Sequence, residues 1–228
     1  EGIRLADVRH RYRAAQSDQN ILCKAVKLHI KHPVFPVFSA SSGHTVFLLC
    51  WQSGLFSDII EKSLLRGTFM VLKTERLILR ELREADFSAL AEILMDREVM
   101  YAYGHCFSEK ETMEWLERQR ERYRRFGFGL WGAVLKATGE VIGQAGLTIQ
   151  PCEGREVLEI GYLFKKKHWH FGYAREAAEG CKRYAFDILN REKVYSIIKT
   201  DNYPSIRVAE SIGMKREKEF ITRYYGGI

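Results

Sequence analysis

From Met70 onward the sequence predicts an α/β domain built on a mixed sheet, and three observations carry the prediction. Apolar runs of strand length alternate with stretches of helical periodicity. A helix start can be read at Ser108, where Glu111 three residues on completes a capping-box pattern. A strand, a basic loop and an alanine-rich helix follow one another between Val157 and Ile188, and a second strand and helix repeat the order.

Each element has its own signal. Leu77, Leu79 and Leu82 around Arg76, Arg80 and Glu81 mark a half-buried strand at about 75–81, and Leu90, Ile93 and Leu94 mark a helix at about 84–95. The helix opened at Ser108 runs to about Arg125. In it Glu114 and Arg118, like Glu121 and Arg125, stand four apart, so its charges read as a solvated face. Phe128 to Leu135 and Val141 to Ile149 are apolar runs joined by Thr138-Gly139-Glu140, the pattern of an antiparallel hairpin. Val157 to Phe164 is the next strand. The helix from Gly172 sets Ala174, Ala177, Ala178, Cys181, Ala185 and Ile188 on one face, mostly small residues that let a helix lie close on a sheet. Val194 to Lys199 is a strand, Pro204 to Ile212 a short helix stopped by Gly213, and Lys215 to about Tyr224 the last strand.

Composition narrows the class. The chain has 228 residues, 46% hydrophobic and 29% charged, which is ordinary for a globular protein and unlike a disordered or membrane chain. A net charge of +7 brings a nucleic-acid partner into view, but residues 1–69 hold +4 and the remainder only +3. No nucleic-acid surface is therefore expected on the larger part. The most apolar stretch, Thr45 to Trp51 with Leu55 and Phe56 beyond, is shorter than the roughly 17–25 residues of a spanning helix, so no membrane partner is expected. Cys23, Cys50, Cys106, Cys152 and Cys181 are odd in number, scattered and without metal-ligand spacing, as in a reduced, cytoplasmic chain.

Residues 1–69 read differently from the rest. They carry four of the seven histidines, Pro33 and Pro36, only short scraps of pattern, and no motif. Arg66-Gly67 shortly before Met70 is what a purine-rich ribosome-binding site becomes if translated in frame. The expectation is that Met70 is the natural start and that 1–69 is translated upstream sequence or an added segment outside the domain of residues 70–228. A true N-terminal extension is the alternative.

The chemistry concentrates after Val157. A glycine at a strand-to-helix turn lets backbone approach a ligand, and the free N–H groups and dipole of the helix's first turn suit a phosphate or diphosphate. Lys165, Lys166, Lys167 and Arg175 add positive charge around Gly172. An alanine-rich helix after a basic loop is also what plain packing would give. The second passage, Asn202-Tyr203-Pro204-Ser205 and then Glu210-Ser211-Ile212-Gly213-Met214, narrows the choice.

With Glu159-Ile160-Gly161-Tyr162, then Trp169-His170-Phe171-Gly172-Tyr173-Ala174-Arg175-Glu176-Ala177, then Asn202, Ser205 and Gly213 at these spacings, the sequence resembles the GNAT superfamily of acetyl-CoA-dependent N-acetyltransferases. Thr74-Glu75-Arg76-Leu77-Ile78-Leu79-Arg80 resembles the opening of its ribosomal-protein N-terminal (alanine) acetyltransferase branch, and the likeness runs from Thr74 to about Tyr225. The resemblance implies a mostly antiparallel sheet flanked by helices, with one splayed parallel strand pair, and acetyl-CoA as co-substrate without a metal. Trp169, Gly172 and Ala174 fall on the fixed positions of the family's phosphate loop. Backbone N–H groups of His170, Phe171, Gly172, Tyr173, Ala174 and Arg175 would then hold the coenzyme's diphosphate. Tyr162 and Leu163, on the first splayed strand, would bond the pantetheine arm, and Asn202 would contact the coenzyme. His170 departs from the branch, which usually has Gly there.

The implied reaction is attack of a neutral amine on the acetyl thioester. Many members place a Tyr acid seven residues after the Asn; here that position is Ala209. Ser205 matches a Ser proposed for the role, or it is an N-terminal helix cap. Glu159 is the candidate base or water-orienting group, or a carboxylate at a strand edge. An α-amine, with a pKa of about 7.7–8.0, is partly neutral where a Lys side chain near 10.4 is not, which favours a protein N-terminus or a small amine of lowered pKa as acceptor. Tyr101, Tyr103, Trp131 and Tyr162 are candidates for the acceptor wall, or core aromatics. A non-catalytic coenzyme sensor and a nucleic-acid module are the competing readings, with a metal at His168 and His170 or a Cys106 nucleophile beside His105 behind them. A homodimer is one candidate assembly.

In the resembled fold a last strand turns back after Tyr224 and inserts between the strands at 194–199 and 215–224. Here Gly226-Gly227-Ile228 ends the sequence. The missing strand predicts either impaired stability or a partner strand, conceivably one from residues 1–69.

Overall fold

The computed structural model describes residues 21–31 and 70–224. The apolar run at Thr45 to Trp51, the Arg66-Gly67 passage and Gly226 to Ile228 lie outside the described residues. Strands β1 (Ile21–Lys31), β2 (Met70–Lys73), β3 (Leu77–Arg80), β4 (Leu130–Leu135), β5 (Val141–Cys152), β6 (Arg155–Phe164), β7 (Lys193–Lys199) and β8 (Lys215–Tyr224) form one sheet. Its order is β2-β3-β4-β5-β6-β7-β1-β8. Every neighbouring pair is antiparallel except β6 and β7. Helices α1 (Phe87–Leu94), α2 (Glu109–Phe126), α3 (Tyr173–Arg183) and α4 (Tyr203–Ser211) flank the sheet.

The element signals convert into contacts. Ser108 caps α2 by accepting the Glu111 N–H at 3.3 Å, while the Glu111 carboxylate accepts the Ser108 N–H at 2.7 Å. The apolar stripe of α2 buries Trp115, Leu116 and Tyr123. Two of its polar groups reach the sheet: Trp115 donates to Gln144 Oε1 at 3.0 Å, and Gln119 Oε1 accepts the Leu130 N–H at 3.1 Å. Ala177, Ala178, Cys181 and Ala185 are fully buried, as the small-residue face of α3 requires. Ile188 departs from that expectation and is 51% exposed. The helix widens into a π turn at Tyr184–Ile188, closed by Leu189 N–H on Tyr184 O, and the extra residue rotates Ile188 off the buried face.

The hairpins also differ in detail. The strand expected at 75–81 is a hairpin of β2 and β3. β5 continues past Ile149 to Cys152 through Pro151, because β4 has already ended opposite Gly146 and leaves Pro151 an open edge on that side. Glu153 (φ 52°) and Gly154 (φ 79°) then make the turn into β6 with two left-handed residues, as a tight hairpin demands.

The gap expected between the strands at 194–199 and 215–224 is filled by β1, which pairs antiparallel with β7 on one side and with β8 on the other. Residues 21–31, part of the segment expected to stand outside the domain, thus supply an interior strand of the sheet. Val26, Leu28 and Ala25 are buried. Lys27, on the opposite face to Val26 and Leu28, is 1% exposed as a residue and forms ion pairs with Glu153 at 2.8 Å and Glu217 at 2.9 Å. Burial would lower the pKa of that ammonium, but the two carboxylates outweigh it and hold Lys27 above its ordinary value.

Candidate functional site

The parallel pair is where the sheet opens. β6 and β7 share a single ladder position, Glu159 opposite Tyr195, and side chains rather than a backbone ladder bridge the strands there. Ser196 Oγ donates to Ile160 O at 3.0 Å, and the Ile197 N–H donates to Glu159 Oε1 at 3.1 Å. Beyond this fork the strands splay. β6 leads through Lys165 to Phe171 into the N-terminus of α3, and β7 leads through Thr200 and Asp201 into that of α4. The cleft therefore has backbone of both strands along its sides and two helix N-termini at its mouth, a setting that favours an elongated anion-bearing ligand.

At the first mouth Gly172 precedes α3 with φ 80°, and no side chain caps the helix. Its first-turn N–H groups are left for a ligand. His170 is also left-handed, with φ 65°. This gives a physical reason for the glycine usual at that position: a Cβ costs about 1–2 kcal/mol in this region. Replacing His170 with Gly should raise the thermal midpoint by a few degrees, read by a melt at fixed pH, since about 1 kcal/mol moves a domain of this size by roughly 2–4 °C. An unchanged or lower midpoint would show that the imidazole compensates the backbone cost.

The basic loop is less available than the sequence suggests. Lys165 is buried and paired with Glu92 at 3.0 Å and Glu140 at 3.1 Å; Lys167 pairs with Glu140 at 2.8 Å, and Lys166 with Glu98. Hydrogen bonds from Lys167 and Lys165 hold the Glu140 carboxyl down at about 2. The extra cationic charge expected around Gly172 from these lysines is thus tied up in ion pairs, because Glu92, Glu98 and Glu140 come from elements distant in sequence. Arg175 is exposed in the first turn of α3. Trp169 is half-buried, and its indole N–H is spent on Phe164 O at 2.7 Å, which ties the loop back to β6.

At the second mouth Asn202, not Ser205, caps α4: its Oδ1 accepts the Ser205 N–H at 3.3 Å and the Tyr101 hydroxyl at 2.8 Å. Ser205 sits in the first turn, half-buried, and its carbonyl accepts the Tyr162 hydroxyl at 2.8 Å. That bond fastens β6 to α4 across the cleft and uses the side chain of Tyr162, leaving the backbone of Tyr162 and Leu163 on the splayed strand. Ala209 is fully buried in α4, so this helix offers no phenol there.

Glu159 lies at the fork, half-buried, with Thr148 Oγ1 donating to its second oxygen at 3.3 Å and Gln150 in turn donating to Thr148 Oγ1 at 3.2 Å. Burial raises its pKa from 4.5 to about 7, against the pull of these hydrogen bonds. Tyr103 is close enough for the Glu159 charge to act on it, and burial together with that charge pushes its phenol upward. Tyr103 and Tyr101 reach the site from a 3-10 turn, Tyr101–Tyr103, between α1 and α2. Trp131 is fully buried against Tyr184 and belongs to the core. Thr148, Gln150, Thr74 and Arg76 have partners here that the sequence does not announce. The first two carry no motif, and the last two stand in a quoted motif whose partner was not legible.

Other sequence candidates do not assemble. His168 faces Glu140 at 3.6 Å, and His105 bonds Glu111 at 2.9 Å. Among the described residues no group of three His, Cys, Asp or Glu side chains is placed to hold a metal, and no helix is long and apolar enough to cross a membrane.

Comparison with known proteins agrees with this geometry. The sequence model of the acetyltransferase (GNAT) domain matches residues 76–215. The Bacillus subtilis protein YkkB is 39% identical over 148 residues, 64% of this chain and 86% of YkkB. The crystal structure of a GNAT-family acetyltransferase from Bacillus anthracis superposes with a TM-score of 0.57 at 29% identity, covering 65% of this chain and 86% of that one. A spermidine N-acetyltransferase from Vibrio cholerae, solved with CoA and spermine, has the same fold (TM-score 0.52, 20% identity, 66% and 90% covered).

Proposed function

This chain belongs to the GNAT acetyltransferase family, and from that premise we propose that it transfers an acetyl group from acetyl-CoA to a primary amine by direct attack. The observation that carries the reading is the fork itself: a splayed parallel pair, two helix N-termini at its mouth, and Glu159 at its base with a pKa of about 7. The uncapped first turn of α3 and the left-handed His170 and Gly172 suit the coenzyme's diphosphate, and the unladdered backbone of β6 and β7 suits the amides of its pantetheine arm. Coenzyme A is held on this fold in the Vibrio cholerae spermidine acetyltransferase.

In the proposed step the amine nitrogen bonds to the thioester carbon and the carbon–sulfur bond breaks. The proton lost by the amine passes to the Glu159 carboxylate, directly or through water, and the leaving sulfur takes a proton from solvent, either directly or through the Ser205 hydroxyl, which solvent reprotonates. Asn202 completes the coenzyme contacts: its oxygen is engaged by Ser205 and Tyr101, which leaves its amide N–H groups to donate. A base of pKa about 7 accepts a proton from an α-ammonium of about 7.7–8.0 at little cost, and from a Lys ammonium near 10.4 at much greater cost. The acceptor is therefore a protein N-terminus or a small amine of lowered pKa.

Following free thiol with acetyl-CoA and a panel of N-terminal peptides, small amines and polyamines tests the reading. Thiol release with peptides or low-pKa amines, above that with lysine side chains, is expected. Tight coenzyme binding without thiol release from any amine would instead make the chain a coenzyme sensor.

A further inference from the structure

Glu176, in the first turn of α3, reaches back across the sheet edge to the turn between β2 and β3. Its Oε1 accepts the Thr74 hydroxyl and the Arg76 N–H, each at 2.6 Å, and its Oε2 accepts Arg76 Nε–H at 2.7 Å. The guanidinium of Arg76 continues from there: Nη1 donates to Phe171 O at 2.9 Å, and the plane lies 4.5 Å from the centre of the Tyr173 ring. Its Nη2 passes 3.5 Å from where a Cβ on Gly172 would stand. One arginine thus holds the loop on both sides of Gly172 and the helix that follows it. Burial would raise the Glu176 carboxyl, but the bonds from Thr74 and Arg76 hold it below its ordinary value, so the pair stays ionic.

We propose that Arg76, braced by Glu176 and Thr74, is a positioning residue for coenzyme binding that fixes the orientation of the peptide between Phe171 and Gly172. In a trans peptide the carbonyl and the following N–H point in opposite directions. Anchoring Phe171 O on Arg76 therefore turns the Gly172 N–H away from the guanidinium, toward the open side of a loop whose residues 170 and 172 are both left-handed. With His170 in place of the usual glycine, the loop has strain to relax, and a clamp on Phe171 is what keeps its donors converged. The planar fork of Arg makes three of these contacts at once, which a Lys cannot do. The proposal rests on the reading of this loop as the coenzyme's diphosphate site.

The test compares the full chain with Arg76→Gln and Arg76→Lys, using acetyl-CoA and S-acetylpantetheine, which has the thioester arm but no diphosphate. Loss of a charge-assisted clamp should raise KM for acetyl-CoA by about tenfold in Arg76→Gln, with an intermediate rise in Arg76→Lys. kcat at saturation should stay within about twofold, and kcat/KM for S-acetylpantetheine should not change. Isothermal titration with CoA should give the same loss of affinity. Where Arg76→Gln does not fold, as judged by a melt, Arg76→Lys decides. An unchanged KM for acetyl-CoA in a folded variant, or an equal loss with S-acetylpantetheine, overturns the clamp. Failure of the unaltered chain to bind CoA overturns the diphosphate-site reading and the clamp with it.

Discussion

Beginning the chain at Met70 is expected to abolish cooperative unfolding and to drive the product into aggregates. β1 is hydrogen-bonded on both edges, so its removal leaves the facing edges of β7 and β8 without partners inside the sheet. It also removes Val26 and Leu28 from the main core, where they are 1% and 0% exposed. Burial of two aliphatic side chains contributes about 4 kcal/mol, and the lost ladders add to that, against a total stability of about 5–15 kcal/mol for a domain. Soluble yield and a urea melt of residues 70–228 give the answer. A cooperative transition at the midpoint of the full chain would mean that β1 is dispensable.

The charge on β1 supplies a finer check. Lys27 has 2% of its side chain exposed, whereas Glu153 and Glu217 keep 24% and 25%. The cost of breaking the cluster therefore depends on which member is removed. Glu217→Gln leaves a buried ammonium with one carboxylate and should destabilise the chain by about 2 kcal/mol, less than the full penalty for breaking a buried pair because Glu153 stays and water is near. Lys27→Met leaves carboxylates that Lys193 and Lys218 still flank and that solvent still reaches, so it should be close to neutral. Urea midpoints of the two variants, measured side by side, read the difference. Equal losses would contradict this asymmetry.

This cluster also explains why β1 was not legible. Val26, Leu28 and Ile30 alternate with Lys27, His29 and Lys31, which is a strand pattern. Its polar half reads as solvent-facing, however, and nothing local says that Lys27 will be buried. The neutralising carboxylates lie on the β5–β6 turn and on β8, far along the chain. What was legible was the demand for such a strand, because the fold that the sequence resembles places one between the strands at 194–199 and 215–224. The supply was not. The basic loop went wrong for the same reason: Lys165 to Lys167 are adjacent in sequence, while Glu92, Glu98 and Glu140 are brought to them only by packing.

The two helix N-termini at the mouth of the cleft were readable because local sequence sets them. Gly172 before an alanine-rich helix announces a helix N-terminus, and Asn202 before Pro204 announces another. Side chains that act through neighbours were not readable. Thr148 and Gln150 look like ordinary strand polar residues until the register sets Thr148 opposite Glu159. Arg76 looked like the polar half of an alternating strand until Glu176 arrived from a hundred residues away. Ser205 could be read as a proton donor or as a cap until Asn202 took the cap position.

Glu159→Gln is expected to lower kcat/KM by about a hundredfold and to remove a limb of the pH profile, both consequences of its place at the fork. Its pKa of about 7 means that activity resting on the carboxylate rises with pH through that value. The acceptor amine loses its proton at higher pH and adds a second rise, which the Gln variant should keep. A stability measurement separates this role from that of a bridge between strands. The folded pKa is raised from 4.5 to about 7, so the stability present below the unfolded value is lost as pH climbs through about 7. Ionised Glu159 is therefore a burden on the fold that the amide does not carry. Gln can still accept the Ile197 N–H through its carbonyl oxygen, so the bridge from β7 is retained. Glu159→Gln should accordingly melt higher than the unaltered chain at about pH 8 and equally at about pH 4, while being the less active of the two. A residue kept only to join β6 to β7 would leave turnover unchanged in Glu159→Gln, because the amide keeps that bridge. The combination of gained stability and lost activity is what a carboxylate held ionisable for catalysis predicts.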